Sequence, residues 1–333
     1  MPQTVVITGA SAGIGRATAR EFAKRGANVV LVARGRAGLE SAAEDVESLG
    51  GRPLVQVADV SDAAQVEAAA DAAEQRFGPI DVWVNCAFST VFAPFDEITA
   101  EEFDRATRVT YLGFVNGTRA ALERMLPRDR GTIVQVGSAL GERSVPLQSA
   151  YCGAKHAING FTSSLRIELL HRKSKVHVTI AQMPALNTPQ FSWVSSKLPQ
   201  HPQPVAPIYQ PEVAARAVLH AADRPRRKQY YIGASTVATL WGNRLVPAVL
   251  DRYLARTGID SQQTDQRPPT GRSNLFEPVD RTEDGLHGAH GVFDDRSHGR
   301  SWQAAVSRHP VAGLSALASV AAATAWLGRR ARR

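Results

Sequence analysis

The sequence predicts an α/β fold: a doubly wound, mostly parallel seven-stranded sheet with helices on both faces, plus a C-terminal helical and disordered extension. Two observations carry the prediction. Over residues 1 to about 233, short β-branched runs alternate with longer amphipathic stretches, the pattern of strands joined by covering helices. Between the first run and the first amphipathic stretch stands a glycine string, Gly9, Gly13 and Gly15, which suits a tight turn opening directly into a helix.

Strands are expected at Thr4–Thr8, Asn28–Ala33, Pro53–Val57, Asp81–Asn85, Gly131–Gly137, Lys175–Ala181 and Gln229–Ile232. Their β-branched and aromatic residues fit a sheet covered on both faces. Helices are expected around 14–24, 36–49, 63–76, 100–126, 151–171 and 212–222, where apolar residues recur at helical spacing. Residues 183–211 differ, because seven prolines from Pro184 to Pro211 break any period and Phe191 and Trp193 lie near the start. A long irregular stretch after a strand reads as a substrate lid. From Thr236 to Arg256, apolar residues including Leu240, Trp241, Leu250 and Leu254 trace a helix restarted at Pro247 and packed on the body.

Residues 1–258 are therefore expected to form one catalytic domain. Residues 259–310 are polar and lack a sustained period, which predicts a largely irregular linker with local docking at Leu275 and Phe276 in Asn274–Pro278. Residues 311–333 read as an apolar helix with a basic end. The uncharged run Val311 to Gly328 is short against the roughly 20 residues of a bilayer span. Peripheral contact with anionic lipid is one expectation for it, and packing of an Ala-rich helix on its own domain or a partner is the other.

The chain has 333 residues, 44% of them hydrophobic, enough for a large core. Its net charge of +8 is concentrated partly in Arg329, Arg330, Arg332 and Arg333, outside any recognisable nucleic-acid module, so no nucleic-acid partner is expected. Two cysteines, Cys86 and Cys152, are too few for a disulfide framework and lack metal-ligand company. No metal is expected. With no charged region ahead of a long apolar stretch at the N-terminus, a cytoplasmic location is expected.

The chemistry begins at the glycine string. Gly9, Ser11, Gly13, Ile14 and Gly15 follow a strand and open a helix, so their main chain is expected to cradle a dinucleotide pyrophosphate. The second strand ends at Ala33-Arg34, without the carboxylate that would favour a free ribose 2′-hydroxyl. Arg34 suits a 2′-phosphate, which points to NADP(H), with NAD(H) less favoured. Ser138 ends the fifth strand, Tyr151 follows thirteen residues later, and Lys155 lies one helical turn beyond it. A tyrosine can protonate an alkoxide formed by hydride transfer if its anion is stabilised, because its ordinary pKa is near 10. Lys155 supplies that positive charge, and Ser138 orients the reacting oxygen.

This arrangement resembles the short-chain dehydrogenase/reductase family over roughly residues 3–233. The whole chain resembles an uncharacterised bacterial branch with a C-terminal extension. The resemblance implies a Rossmann-like domain and hydride transfer to or from the B face of a nicotinamide. It places Asp59 and Val60 at the adenine, Asn85 and Ala87 beside the cofactor, Lys155 on the nicotinamide ribose, and Thr188 at the carboxamide or phosphates. It also implies a homodimer or homotetramer. Three departures stand out: Phe88 where the family has glycine, Ala185 in place of another glycine, and Thr110 where the family's proton relay uses asparagine. Phe88, Leu140, Val145, Met183, Phe191 and Trp193 are expected to wall a site for a hydrophobic carbonyl or secondary alcohol. The alternatives are an NAD(H)-dependent alcohol dehydrogenase, or a cofactor-binding regulatory or scaffold protein with little turnover.

Overall fold

The computed structural model describes residues 2–268, 272–282 and 285–308. Seven parallel strands form the central sheet: β1 (Thr4–Thr8), β2 (Asn28–Ala33), β3 (Arg52–Val57), β4 (Val82–Asn85), β5 (Gly131–Ser138), β6 (Val176–Met183) and β7 (Gln229–Tyr231). Their order is β7-β6-β5-β4-β1-β2-β3. The chain winds outward from β1 to β3, then returns to lay β4 against the other side of β1. That reversal opens a crevice at the carboxyl ends of β1 and β4, where this topology binds ligands.

Alternation along the strands explains why both faces are covered. Val5, Ile7, Val29 and Leu31 join one buried cluster, with Phe22 and Leu39 of α1 (Gly13–Ala23) and α2 (Arg36–Ser48). Val6, Val30 and Val32 join the opposite cluster, with Val66 and Ala120 of α3 (Ala63–Phe77) and α5 (Gly113–Met125). Successive strand side chains point to opposite faces, so an unbroken apolar run requires two covering layers.

The expected helix over 100–126 is interrupted. An α-helix, α4 (Ala100–Thr107), passes through a π-turn at Arg108–Leu112 into α5. Such turns inside helices cluster at functional sites, and this one carries Thr110. The long helix α6 (Ser149–His171) carries Tyr151 and Lys155.

The expected lid has little regular structure: a short helix, α7 (Gln190–Trp193), and two-residue strands at Ser195–Ser196 and Ile208–Tyr209. Beyond α8 (Pro211–Asp223) and β7, the apolar run forms two helices, α9 (Ala234–Leu245) and α10 (Pro247–Thr257), separated at Pro247. Proline lacks the N–H to continue α9 but suits the first turn of α10.

Described residues after 258 also carry little regular structure, yet they do not run free of the body. Leu275 is buried in a cluster with Val91, Ala93, Ala106 and Ala150. Phe293 packs with Phe191 and Leu147, and Ser297–His298 pairs in parallel with Ile208–Tyr209. The expected docking at Leu275 thus extends into a longer attachment made by apolar burial together with main-chain and side-chain hydrogen bonds. Residues 311–333, the expected apolar helix, lie outside the described residues. Among the described residues no helix is long and apolar enough to cross a membrane.

Candidate active site

The glycine loop is shaped by close backbone approach. Gly9 has φ of +70°, and a Cβ there would lie 2.8 Å from the Ala87 Cα. A Cβ on Gly15 would lie 2.1 Å from the Gly9 carbonyl oxygen. Neither position tolerates a side chain without main-chain movement. Thr8 Oγ1 accepts hydrogen bonds from the N–H groups of Cys86 (3.0 Å) and Ala87 (3.2 Å), which ties the end of β1 to the end of β4. Gly9, Ser11, Gly13, Ile14, Gly15, Arg34, Asp59, Val60, Ala87 and Thr188 all line one cleft of about 140 Å³. Ten of the residues expected to hold a dinucleotide are therefore brought together, and the cradle the glycines keep open fits that group.

Asn85 does not line this cleft. Fully buried, it donates to Phe114 O (3.3 Å), Thr118 Oγ1 (3.1 Å) and Gln135 Oε1 (2.9 Å), and accepts from Trp83 Nε1 (2.8 Å). It braces β4 to α5 and β5 from behind the cleft. Asp59 accepts from Arg105 (2.6 Å) and Ser61 (2.7 Å). Burial would raise its pKa, but the Ser61 and Arg105 hydrogen bonds outweigh that and hold the carboxyl below its ordinary range.

Arg34 is already engaged. Its guanidinium donates to the carbonyls of Phe276 (2.7 Å), Leu275 (3.3 Å) and Asn274. Burial and then the neighbouring Arg105 lower its pKa. Val109 and Asn274 also line the cleft, and neither carried a sequence signal for that role.

Ser138, Tyr151 and Lys155 meet at the inner end of a second, larger cavity of about 390 Å³. The Ser138 hydroxyl faces Tyr151, whose pKa it pulls down, and accepts from the Leu140 N–H at 3.1 Å. Lys155 Nζ donates to Val136 O at 2.7 Å and stands 5.4 Å from the Tyr151 ring centroid and 4.6 Å from that of Phe114. Burial pushes Tyr151 well above its ordinary pKa, against the pull of Ser138, and brings Lys155 down to about 8. Tyr151 therefore holds its proton, as an acid donating to a developing alkoxide must.

Thr110 is fully buried at the π-turn. Its hydroxyl donates to Ser89 O (2.7 Å) and accepts from Ser89 N–H (3.0 Å). Bonded on both sides to Ser89, this hydroxyl ties the π-turn to the chain after β4. Cys86 and Cys152 are buried free thiols, and desolvation raises the Cys86 thiol to about 12, which leaves it protonated and inert. Among the described residues no group of His, Cys, Asp and Glu is gathered to hold a metal ion.

Phe88, Leu140, Val145, Met183 and Phe191 line the larger cavity. Phe88 meets the Tyr151 ring edge-on, 5.6 Å between centroids. Trp193 does not line it. One turn of α7 sends Phe191 inward and Trp193 to the dinucleotide cleft, where it meets the His287 ring edge-on at 4.2 Å. Leu250, Tyr253 and Leu254 of α10 complete the wall. Their apolar spacing predicted a packed helix, but not which cavity it would close.

The chain can thus cradle a dinucleotide, hold a proton on Tyr151 and orient an oxygen with Ser138. A nicotinamide, if bound in that cleft, would supply or accept the hydride.

Comparison with known proteins agrees. The family model described as short chain dehydrogenase matches residues 3–198. An uncharacterised oxidoreductase of Bacillus subtilis, YxnA, is 33% identical over 329 residues, covering 97% of this chain and 89% of that protein. A 3-dehydrosphinganine reductase of Danio rerio is 33% identical, and a 3-ketodihydrosphingosine reductase of Mus musculus 34% identical. Each match spans 226 residues, 66% of this chain and 68% of the relative. The parallel sheet, the glycine cradle and the matched residues together establish that the chain belongs to the short chain dehydrogenase family of oxidoreductases.

Proposed function

We propose that this protein transfers a hydride between a nicotinamide dinucleotide and a hydrophobic carbonyl or secondary alcohol. Tyr151 is the acid or base, Ser138 orients the substrate oxygen, and Lys155 holds the ribose and stabilises the tyrosinate. The observation that carries the reading is Ser138, Tyr151 and Lys155 gathered in one largely apolar cavity next to the glycine cradle, with Lys155 Nζ 5.4 Å from the Tyr151 ring centroid. Walls of Phe88, Leu140, Met183 and Leu254 favour an apolar substrate. Relatives named as reductases of 3-keto compounds support the carbonyl-reducing direction. NADP(H) is the cofactor this reading favours, on the Arg34 cation and the missing carboxylate at Ala33.

The test is oxidation of NADPH and of NADH by full-length protein across a panel of hydrophobic ketones and aldehydes. Turnover lost in Tyr151→Phe, with dinucleotide binding retained, is expected. Turnover that survives this substitution overturns the assignment of the acid. Binding without turnover across the panel and its reverse alcohols favours a regulatory role.

A further inference from the structure

Two stretches of the C-terminal segment, 274–280 and 287–291, lie along the outer side of the dinucleotide cleft. They bring oxygens to groups that recognise anions. Arg34 is met by three main-chain carbonyls. The Gly13 N–H, at the start of α1, donates to Gly288 O at 3.2 Å. The Asp280 carboxylate lies against the first turn of α2, so close that a Cβ on Gly35 would fall 1.7 Å from Oδ1 and one on Gly38 3.1 Å away. Helix N-termini favour negative charge.

Asp280, Arg34, Gly35, Ser11 and His287 enclose a small pocket of about 70 Å³ next to the cleft. The buried Nε2 of His287 has no hydrogen-bond partner among the described residues. The strap is firmly seated. His287 N–H donates to Asp280 O (3.1 Å), Arg16 donates to His287 O (2.9 Å), and Leu275 is buried.

We propose that this strap is the outer wall of the dinucleotide site, and that Asp280 is a specificity-determining residue there. The carboxylate absent from the end of β2 is returned by a residue far along the chain. A carboxylate beside Arg34 opposes a 2′-phosphate and offers an acceptor to a 2′-hydroxyl. Arg34 and Asp280 therefore pull in opposite directions, and Asp280 narrows the preference for NADP(H) over NAD(H). The proposal rests on the reading of the cleft as a dinucleotide site.

The test is equilibrium binding of NADPH and NADH to full-length wild type, Asp280→Asn and Asp280→Glu, read by nicotinamide fluorescence, with thermal melting as the folding check. Removal of one opposing charge is expected to tighten NADPH by more than about tenfold in Asp280→Asn, since at an effective dielectric near 20 even a separation of roughly 12 Å is worth that factor. NADH should be unchanged or weaker, and Asp280→Glu should keep the wild-type ratio. Binding of both dinucleotides with the ratio unchanged in Asp280→Asn overturns the role of Asp280 alone. Failure of wild type and both variants to bind either dinucleotide overturns the reading of the cleft itself.

Discussion

Lys155 is expected to cost the fold stability in return for its place beside Tyr151. Its side chain is buried at 3% exposure, and desolvation lowers its pKa from 10.5 to about 8. At about 1.4 kcal/mol per pKa unit, keeping the ammonium in this site costs on the order of 3 kcal/mol at pH 7. Lys155→Met removes that cost and keeps an unbranched side chain, but leaves Val136 O without its 2.7 Å donor, a loss of about 1–3 kcal/mol. The variant should therefore be as stable as wild type at pH 7, or more stable by up to about 2 kcal/mol, while losing hydride transfer.

The pH dependence isolates the cause. Between pH about 8 and 10.5 the unfolded chain binds more protons at this residue than the folded one. Wild-type stability thus rises through that window relative to the variant, and any advantage of the variant shrinks by about 3 kcal/mol. Urea unfolding of both proteins at pH 7 and pH 10 measures the difference. A variant less stable at pH 7 by a margin that does not change with pH would refute the reasoning, because the charge would then carry no desolvation cost.

The two aromatic residues of α7 should separate cleanly. Phe191→Ala is expected to raise KM for a hydrophobic carbonyl, while Trp193→Ala should weaken dinucleotide binding with little effect on that KM; steady-state kinetics with each substrate varied in turn checks both. His290 clamps the strap, its protonated ring donating to Glu212 (2.8 Å) and Asp294 (2.9 Å). Burial pulls its pKa down, but the two carboxylates outweigh it and hold it above the ordinary 6.5. The clamp is therefore fully present below about pH 6.5 and lost as pH rises through the raised value. Hydrogen exchange of 287–298 should speed up across that range more than exchange intrinsically does, and His290→Gln should remove the extra dependence.

The amino-acid sequence by itself determined the sheet, the glycine loop and the Ser138, Tyr151 and Lys155 constellation. These are local matters: strand alternation, a turn that only glycine fits, and a four-residue interval that stacks two side chains on one helix face. Tertiary structure decided the rest. The direction of Trp193 depends on how one turn of an irregular lid seats, which no period encodes. Thr110 was legible as a departure, but that its hydroxyl is spent on Ser89 follows only from the π-turn meeting the chain after β4. The partners of Arg34 were least legible of all. Main-chain carbonyls of Asn274, Leu275 and Phe276 satisfy it, and every residue type carries such a carbonyl, so the sequence holds no mark of the contact until the chain folds back.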